Sequence, residues 1–286
     1  MFMPGWTADS ASHQVSSGGY FRRMSRPLAV VTGASTGIGA AFARLLADEG
    51  YDLLLAADEP AVQDVARELG RDDRTVTACA VDLATPQGVA ELHEAAHRFD
   101  RPVDVAVLNA GIGIWGRFDE VDLDQQLRVV DLNVRSTVHL AVLFARDMVA
   151  AGRGRLLMVA SIAGKAPGPG HAVYAASKAF VHSYAEAARH ELRGTGVTVT
   201  SLLPGPTATA FFRRNDMAEA RVAQGPQDSA DTVARQGYDA MMRGRDMVVG
   251  GRWLNTAATA LSRIVPDRLQ AALAARETDR VGAHRG

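Results

Sequence analysis

Tyr174 and Lys178, in the stretch Tyr174-Ala175-Ala176-Ser177-Lys178, stand four positions apart. On a helix that spacing puts both side chains on one face, a turn apart. An ammonium beside a phenol stabilises the phenolate and draws its pKa below the reference of about 10. Such a pair gives and takes a proton near neutral pH. Taken alone, the spacing is equally that of an ordinary amphipathic helix. Two other features give it a chemical context: Ser161 at the end of an apolar strand, and Gly33, Gly37 and Gly39 far upstream. The glycines lie where a strand turns into a helix, so the backbone there can bend tightly and approach a pyrophosphate, whose charge suits a helix N-terminus. Their Gly-x-x-x-Gly-x-Gly spacing differs from the common dinucleotide fingerprint, but the place after the first strand points to nucleotide binding.

The elements that must position these groups follow from the apolar pattern. Leu28 to Val31 is a short strand running into Thr32-Gly33-Ala34-Ser35-Thr36-Gly37-Ile38-Gly39, and a helix through Phe42, Leu45 and Leu46 stops at Gly50. A strand over 52–57, a helix over 62–69 and a third strand ending at Val81-Asp82-Leu83 come next. A helix over 89–99 precedes the strand 103–108, which leads into Asn109-Ala110-Gly111. One long helix, from about Leu123 to Ala150, carries Asn133. The fifth strand, 155–160, delivers Ser161, and the helix bearing Tyr174 and Lys178 runs to about Leu192. The sixth strand, 197–203, is stopped by Pro204-Gly205, and Met247-Val248-Val249 forms a last short one. Strict alternation of apolar strands with helices predicts a parallel sheet covered on both faces: a doubly wound α/β (Rossmann) fold, as a single domain over 27–252.

The pattern weakens between Thr207 and about Gln227, so residues from about 205 to 230 read either as a lid over the site or as an ordinary surface helix pair. Beyond Trp253 the chain reads as a C-terminal helical extension, 253–286, with an alanine-rich amphipathic helix to about Ala275. Residues 1–26 are rich in Ser and Gly and lack an apolar h-region; they read as a disordered leader or as residues upstream of a natural start at Met24. No segment is apolar for long enough to span a membrane. A formal net charge of -1 gives no reason to expect a nucleic-acid or anionic-membrane partner. The single cysteine, Cys79, excludes an internal disulfide framework and fits a reducing cytoplasm.

In order along the chain, Thr32-Gly33-Ala34-Ser35-Thr36-Gly37-Ile38-Gly39, Asp82, Asn109-Ala110-Gly111, Asn133, Ser161, Tyr174 with Lys178, and Pro204-Gly205 resemble the classical short-chain dehydrogenase/reductase family. The resemblance covers roughly 27–250. It implies that Tyr174 is general acid in ketone reduction and base in alcohol oxidation, and that Ser161 steadies charge on the substrate oxygen. It implies that Lys178 binds the nicotinamide ribose and that Asn133 keeps a water in a proton relay to Lys178. Among the implied cofactor contacts are Gly33, Ser35, Thr36, Gly37 and Ile38 of the turn, with Asp82 and Leu83 at the adenine. Asn109, Ala110 and Gly111 continue that wall, and Pro204, Gly205 and Thr209 line the nicotinamide side. A homo-oligomer, dimer or tetramer, is the implied assembly, through the helices carrying Asn133 and Tyr174.

The choice of dinucleotide falls near the end of strand two. NADP-preferring relatives place Arg about where Asp58 stands, and many carry a basic residue where Thr36 stands. Asp58 with Glu59 would repel a 2′-phosphate, and Asp58 can accept hydrogen bonds from a free ribose diol. NAD is therefore favoured over NADP, although NAD-preferring relatives put the acid one position earlier, at Ala57. The implied function is an NAD(P)-dependent oxidoreductase interconverting a secondary alcohol and a ketone. The alternative is a catalytically silent nucleotide-sensing or regulatory protein, which predicts erosion of the Ser–Tyr–Lys set. Substrate character stays open between a hydrophobic molecule, suited to Phe211 and Phe212, and an acid, suited to Arg213 and Arg214. His171 reads as mouth of the pocket or plain loop, and Trp115, Phe118, Ile112 and Ile114 as pocket wall or loop packing. His93 and His97 share a helix face at metal-like spacing but have no third ligand near in sequence, so they read as a solvated face and no metal is expected.

Overall fold

The computed structural model describes residues 26–215, 217, 220–252, 269–272 and 275. The expected leader, up to residue 25, and most of the expected C-terminal extension lie outside these, although 269–272 and 275 are helical. The strands are β1 (Leu28–Thr32), β2 (Asp52–Ala57), β3 (Val76–Ala80), β4 (Val105–Leu108), β5 (Gly154–Val159), β6 (Val197–Pro204), β7 (Thr207–Ala208), β8 (Asp228–Ser229) and β9 (Met247–Gly250). The helices are α1 (Gly37–Asp48), α2 (Ala61–Leu69), α3 (Pro86–His97), α4 (Leu123–Val130), α5 (Ser136–Ala150), α6 (Ala172–Glu191), α7 (Phe211–Arg214), α8 (Arg221–Gln224) and α9 (Ala230–Met242).

Seven strands form one parallel sheet in the order β3-β2-β1-β4-β5-β6-β9. Every residue of β1 is buried, because the period-two pattern of a strand sends alternate side chains into two different cores. Leu28 and Val30 join a layer with Leu92 of α3, Phe144 of α5 and Val181 of α6. Ala29 and Val31 join the opposite layer with Phe42 of α1, Val65 of α2 and Val233 of α9. Phe42 and Phe144 are fully buried, and each contributes about 1.5–3 kcal/mol by leaving water. Strand order changes direction between β1 and β4, so a crevice opens at their carboxyl ends, beside Gly33 and Asn109.

Three features differ from the apolar pattern. The expected single helix from Leu123 to Ala150 is two helices joined by a π-helical turn, Asp131–Arg135, centred on Asn133. Hydroxyls take up the carbonyls there: Ser136 Oγ donates to the Leu132 carbonyl, and Thr137 Oγ1 to that of Asn133 at 2.8 Å. Helix α9, which the periodicity does not single out, packs Gly237 against Phe42 and Leu202 so closely that a Cβ would come within 2.8 Å of the Phe42 ring. The irregular stretch after β6 is held at its base by the parallel ribbon of β7 and β8, and α7 and α8 lie between those two strands.

Candidate active site

The glycine turn after β1 takes a shape only glycine tolerates. Gly33 and Gly37 have φ of 63° and 59°, and a Cβ on Gly39 would fall 2.1 Å from the Gly33 carbonyl oxygen. Asn109 pins this turn to the end of β4. Its Nδ2 donates to the carbonyls of Thr32 at 2.9 Å and Gly33 at 3.2 Å, and its backbone N–H donates to Thr32 Oγ1 at 2.9 Å. The N-terminus of the twelve-residue α1 therefore points into the crevice from a fixed loop, a standard anion site.

Across the crevice, β5 delivers Ser161, whose Oγ accepts from the Ala163 N–H at 3.1 Å, and α6 delivers Tyr174 and Lys178. Lys178 Nζ donates to the Val159 carbonyl at 2.8 Å and lies 5.9 Å from the centroid of the Tyr174 ring. Burial pushes the Tyr174 phenol up to about 12, against its hydrogen bond with Ser161, and burial draws the Lys178 ammonium down to about 8. The lowered phenol pKa expected from the spacing is thus reversed here. Desolvation exceeds the opposing effect of the Ser161 hydrogen bond.

Asn133 is buried and its side chain is fully used. Oδ1 accepts from the Ile112 N–H at 2.9 Å, while Nδ2 donates to the Ile112 carbonyl at 2.9 Å and to Ser177 Oγ at 3.0 Å. It braces the wall of the site and does not line the cavity. A Cβ on Gly111 would come within 3.1 Å of Asn133 Oδ1 and 3.2 Å of Lys178 Nζ, so that glycine lets brace and lysine meet the loop closely.

One cavity of about 990 Å³, the upper end of the small-molecule range, joins the two ends. Ser161, Tyr174 and Lys178 line it, together with Gly33, Ser35, Thr36, Gly37, Ile38, Asp58, Asp82, Leu83, Asn109, Ala110, Gly111, Pro204, Gly205 and Thr209. Thr209 packs its methyl over Gly37, where a Cβ would approach it to 3.1 Å. Asp82 is desolvated, but hydrogen bonds from Arg128 and from the Ala84 N–H hold its carboxyl below the usual range. Arg128 lies 3.0 Å from Asp82 and 3.7 Å from Asp58.

Sequence reasoning does not single out Arg128, Asn215 or Lys165, and leaves Arg214 as a candidate for the substrate. Arg214 instead reaches back from α7 to Glu59 at 2.9 Å and to Thr36 Oγ1 at 3.3 Å. Asn215 Oδ1 accepts from the Gly113 N–H at 3.0 Å, a second tie between this segment and the crevice. Lys165 lines the cavity and contacts His182, whose Nδ1 lies 3.0 Å from Ser201 Oγ. Composition could have flagged it: the chain has two lysines, Lys165 and Lys178, and both line this cavity. His171 also lines it, stacked on Trp115 at 6.1 Å, and burial lowers its pKa. Ile112 joins the wall, whereas Ile114 sits in a separate small hollow and Phe118 is 79% exposed. His93 and His97 do have a third potential ligand: the fold brings Asp147 from α5 to both.

The model of the short chain dehydrogenase family matches residues 27–220. The chain belongs to that family. An uncharacterised oxidoreductase of Staphylococcus aureus strain N315 is 32% identical over 207 residues, 72% of this chain and 88% of its own. The glycine betaine reductase of Emericella nidulans is 35% identical over 211 residues, which are 73% of this chain but only 17% of that much longer protein. The solved structure of a short-chain dehydrogenase from Sphingobium yanoikuyae, in complex with NADPH, superposes with a TM-score of 0.72 at 29% identity, covering 84% of this chain and 96% of its own. This short-chain dehydrogenase is thus an oxidoreductase of the NAD(P)-binding type, and its glycine cradle and α1 terminus fit a dinucleotide pyrophosphate. No helix among the described residues is long and apolar enough to cross a membrane.

Proposed function

We propose that the chain interconverts a secondary alcohol and a ketone with NAD(P), using Tyr174 as general acid in reduction and general base in oxidation. The observation that carries this reading is the hydrogen-bonded Ser161–Tyr174 pair on the wall of the cavity whose far end is the glycine turn. The bound dinucleotide supplies the hydride chemistry. The chain's own groups bind and orient: the turn and α1 take the pyrophosphate, and Lys178, anchored on Val159, keeps two further N–H groups for the ribose diol. Ser161 donates to the substrate oxygen and Tyr174 exchanges a proton with that same atom. Asn133 holds the loop after β4 at Ile112 and shares its amide between that loop and Ser177, so its role here is to brace the wall.

We infer a substrate with apolar bulk, because Phe211, Phe212, Met217 and Val222 line the cavity under the segment from about 205 to 230, which we read as the lid. Arg213 does not line the cavity, and Arg214 is tied to Glu59. NAD remains our preferred dinucleotide. A 2′-phosphate would enter beside Asp58 and Glu59, whose neighbouring cations Arg128 and Arg214 are already engaged with carboxylates. A reducing cytoplasm is our preferred compartment for a chain with one cysteine, Cys79. A ketone and alcohol panel run separately with NAD(H) and NADP(H), on the native protein and on Tyr174→Phe, tests the reading. Turnover should fall about 10²–10⁴-fold in Tyr174→Phe with dinucleotide affinity retained. Cofactor binding without turnover across the panel would instead support a regulatory protein, and a tenfold preference for NADPH, about 1.4 kcal/mol, would remove the Asp58 argument.

A further inference from the structure

We propose that His93, His97 and Asp147 form a divalent transition-metal site, matched to Zn²⁺, that staples α3 to α5. His93 and His97 project from the same face of α3, and their Nε2 atoms lie 2.7 Å and 3.0 Å from one and the same oxygen, Asp147 Oδ2. All three candidate ligand atoms fall within 4.8 Å of one another. A tetrahedral zinc with bonds of about 2.0–2.1 Å sets its ligands roughly 3.3 Å apart, so the two imidazole–carboxylate separations would open by about 0.6 Å and about 0.3 Å. The side chains are built for that adjustment. His93 is 16% exposed and held edge-on against the fully buried Phe144 at 5.6 Å, whereas His97 is 59% exposed and can move outward. Its open side leaves room for a water as fourth ligand.

Charge and donor type point the same way. Asp147 stands in the last turn of α5, where the helix dipole disfavours a carboxylate, and a cation held by two neutral imidazoles corrects the imbalance. Two imidazole nitrogens with one carboxylate suit zinc and its neighbours over magnesium or calcium. None of the three residues lines the Tyr174 cavity, so this inference stands on its own geometry and not on the oxidoreductase reading.

The test uses untagged full-length protein stripped with a chelator, then titrated with Zn²⁺ by calorimetry and with Co²⁺ by visible absorption. His97→Gln and Asp147→Asn are compared, each first checked for a native metal-free melting profile. One Zn²⁺ per chain, four-coordinate Co²⁺ bands, a raised Tm on adding Zn²⁺ and affinity weakened at least about tenfold in both variants are expected. Absence of saturable one-to-one binding, or binding that survives unchanged in both variants, would overturn the site.

Discussion

Lys178 and Tyr174 share a face of α6, yet burial moves their proton affinities in opposite directions, to about 8 and about 12. For Lys178 the folded value lies below the unfolded reference of about 10.4, so between those two pH values the unfolded chain binds more protons and stability rises with pH. Below about pH 8 both states are charged and the full cost of burying the ammonium, roughly 3 kcal/mol, persists. In Lys178→Met that pH dependence should vanish. Denaturant unfolding from pH 7 to pH 10.5 should show the native protein gaining stability relative to the variant; parallel curves would mean that Lys178 is not desolvated. The raised phenol stays protonated through neutrality, as an acid must. Ketone reduction should therefore stay flat between about pH 6 and pH 8, while alcohol oxidation climbs with pH. A loss of reduction centred near pH 7 would assign the proton to another group.

The segment from α4 through α5 shows how an element can be built to hold one side chain. The π-helical turn brings Asn133 opposite Ile112, and one amide satisfies both the N–H and the carbonyl of that residue. Asn133→Ala would leave two part-buried backbone groups of Ile112 without this partner, at up to about 1–3 kcal/mol each. A Tm fall of several degrees in calorimetry is expected; a change under one degree would mean that the loop re-pairs without the amide. The turn was not legible because apolar positions on either side continue the 3.6-residue period. Only Ser136 and Thr137, hydroxyls placed to take the carbonyls, mark it locally. The Gly33–Gly39 turn was legible, since its constraint is a backbone shape that neighbouring residues define by themselves.

At the scale of the molecule, large apolar side chains on α4 and α6 stand exposed among the described residues: Leu123, Leu127 and Val130 on α4, and Phe180 on α6. A second copy packed there would realise the expected homo-oligomer, and burial of such a face is the usual driving force. Leu127→Asp should shift the sedimentation of the protein from oligomer to monomer. A monomeric native protein, or an unshifted variant, would exclude this face as the interface. The lid belongs to the same scale. Arg214 and Asn215 tie the segment after β7 to Glu59 and Gly113, residues distant in sequence, so these contacts join the substrate end of the cavity to the nucleotide end.

The alternation of strands and helices, and with it a parallel sheet covered on both faces, was readable in the chain because apolar runs, their lengths and the glycines between them act over a few residues. The order of Gly33, Asn109, Ser161 and Tyr174 along the alternating elements was enough to gather them at one sheet edge. What only the tertiary structure decided are meetings across long separations: Asp147 with His93 and His97, Arg128 with Asp82 and Asp58, and Phe118 turned outward while Phe211 lines the cavity. It also decided the direction of the Tyr174 pKa. Spacing reports that Lys178 is a turn away, but desolvation depends on everything packed around the phenol, and that is a property of the folded whole.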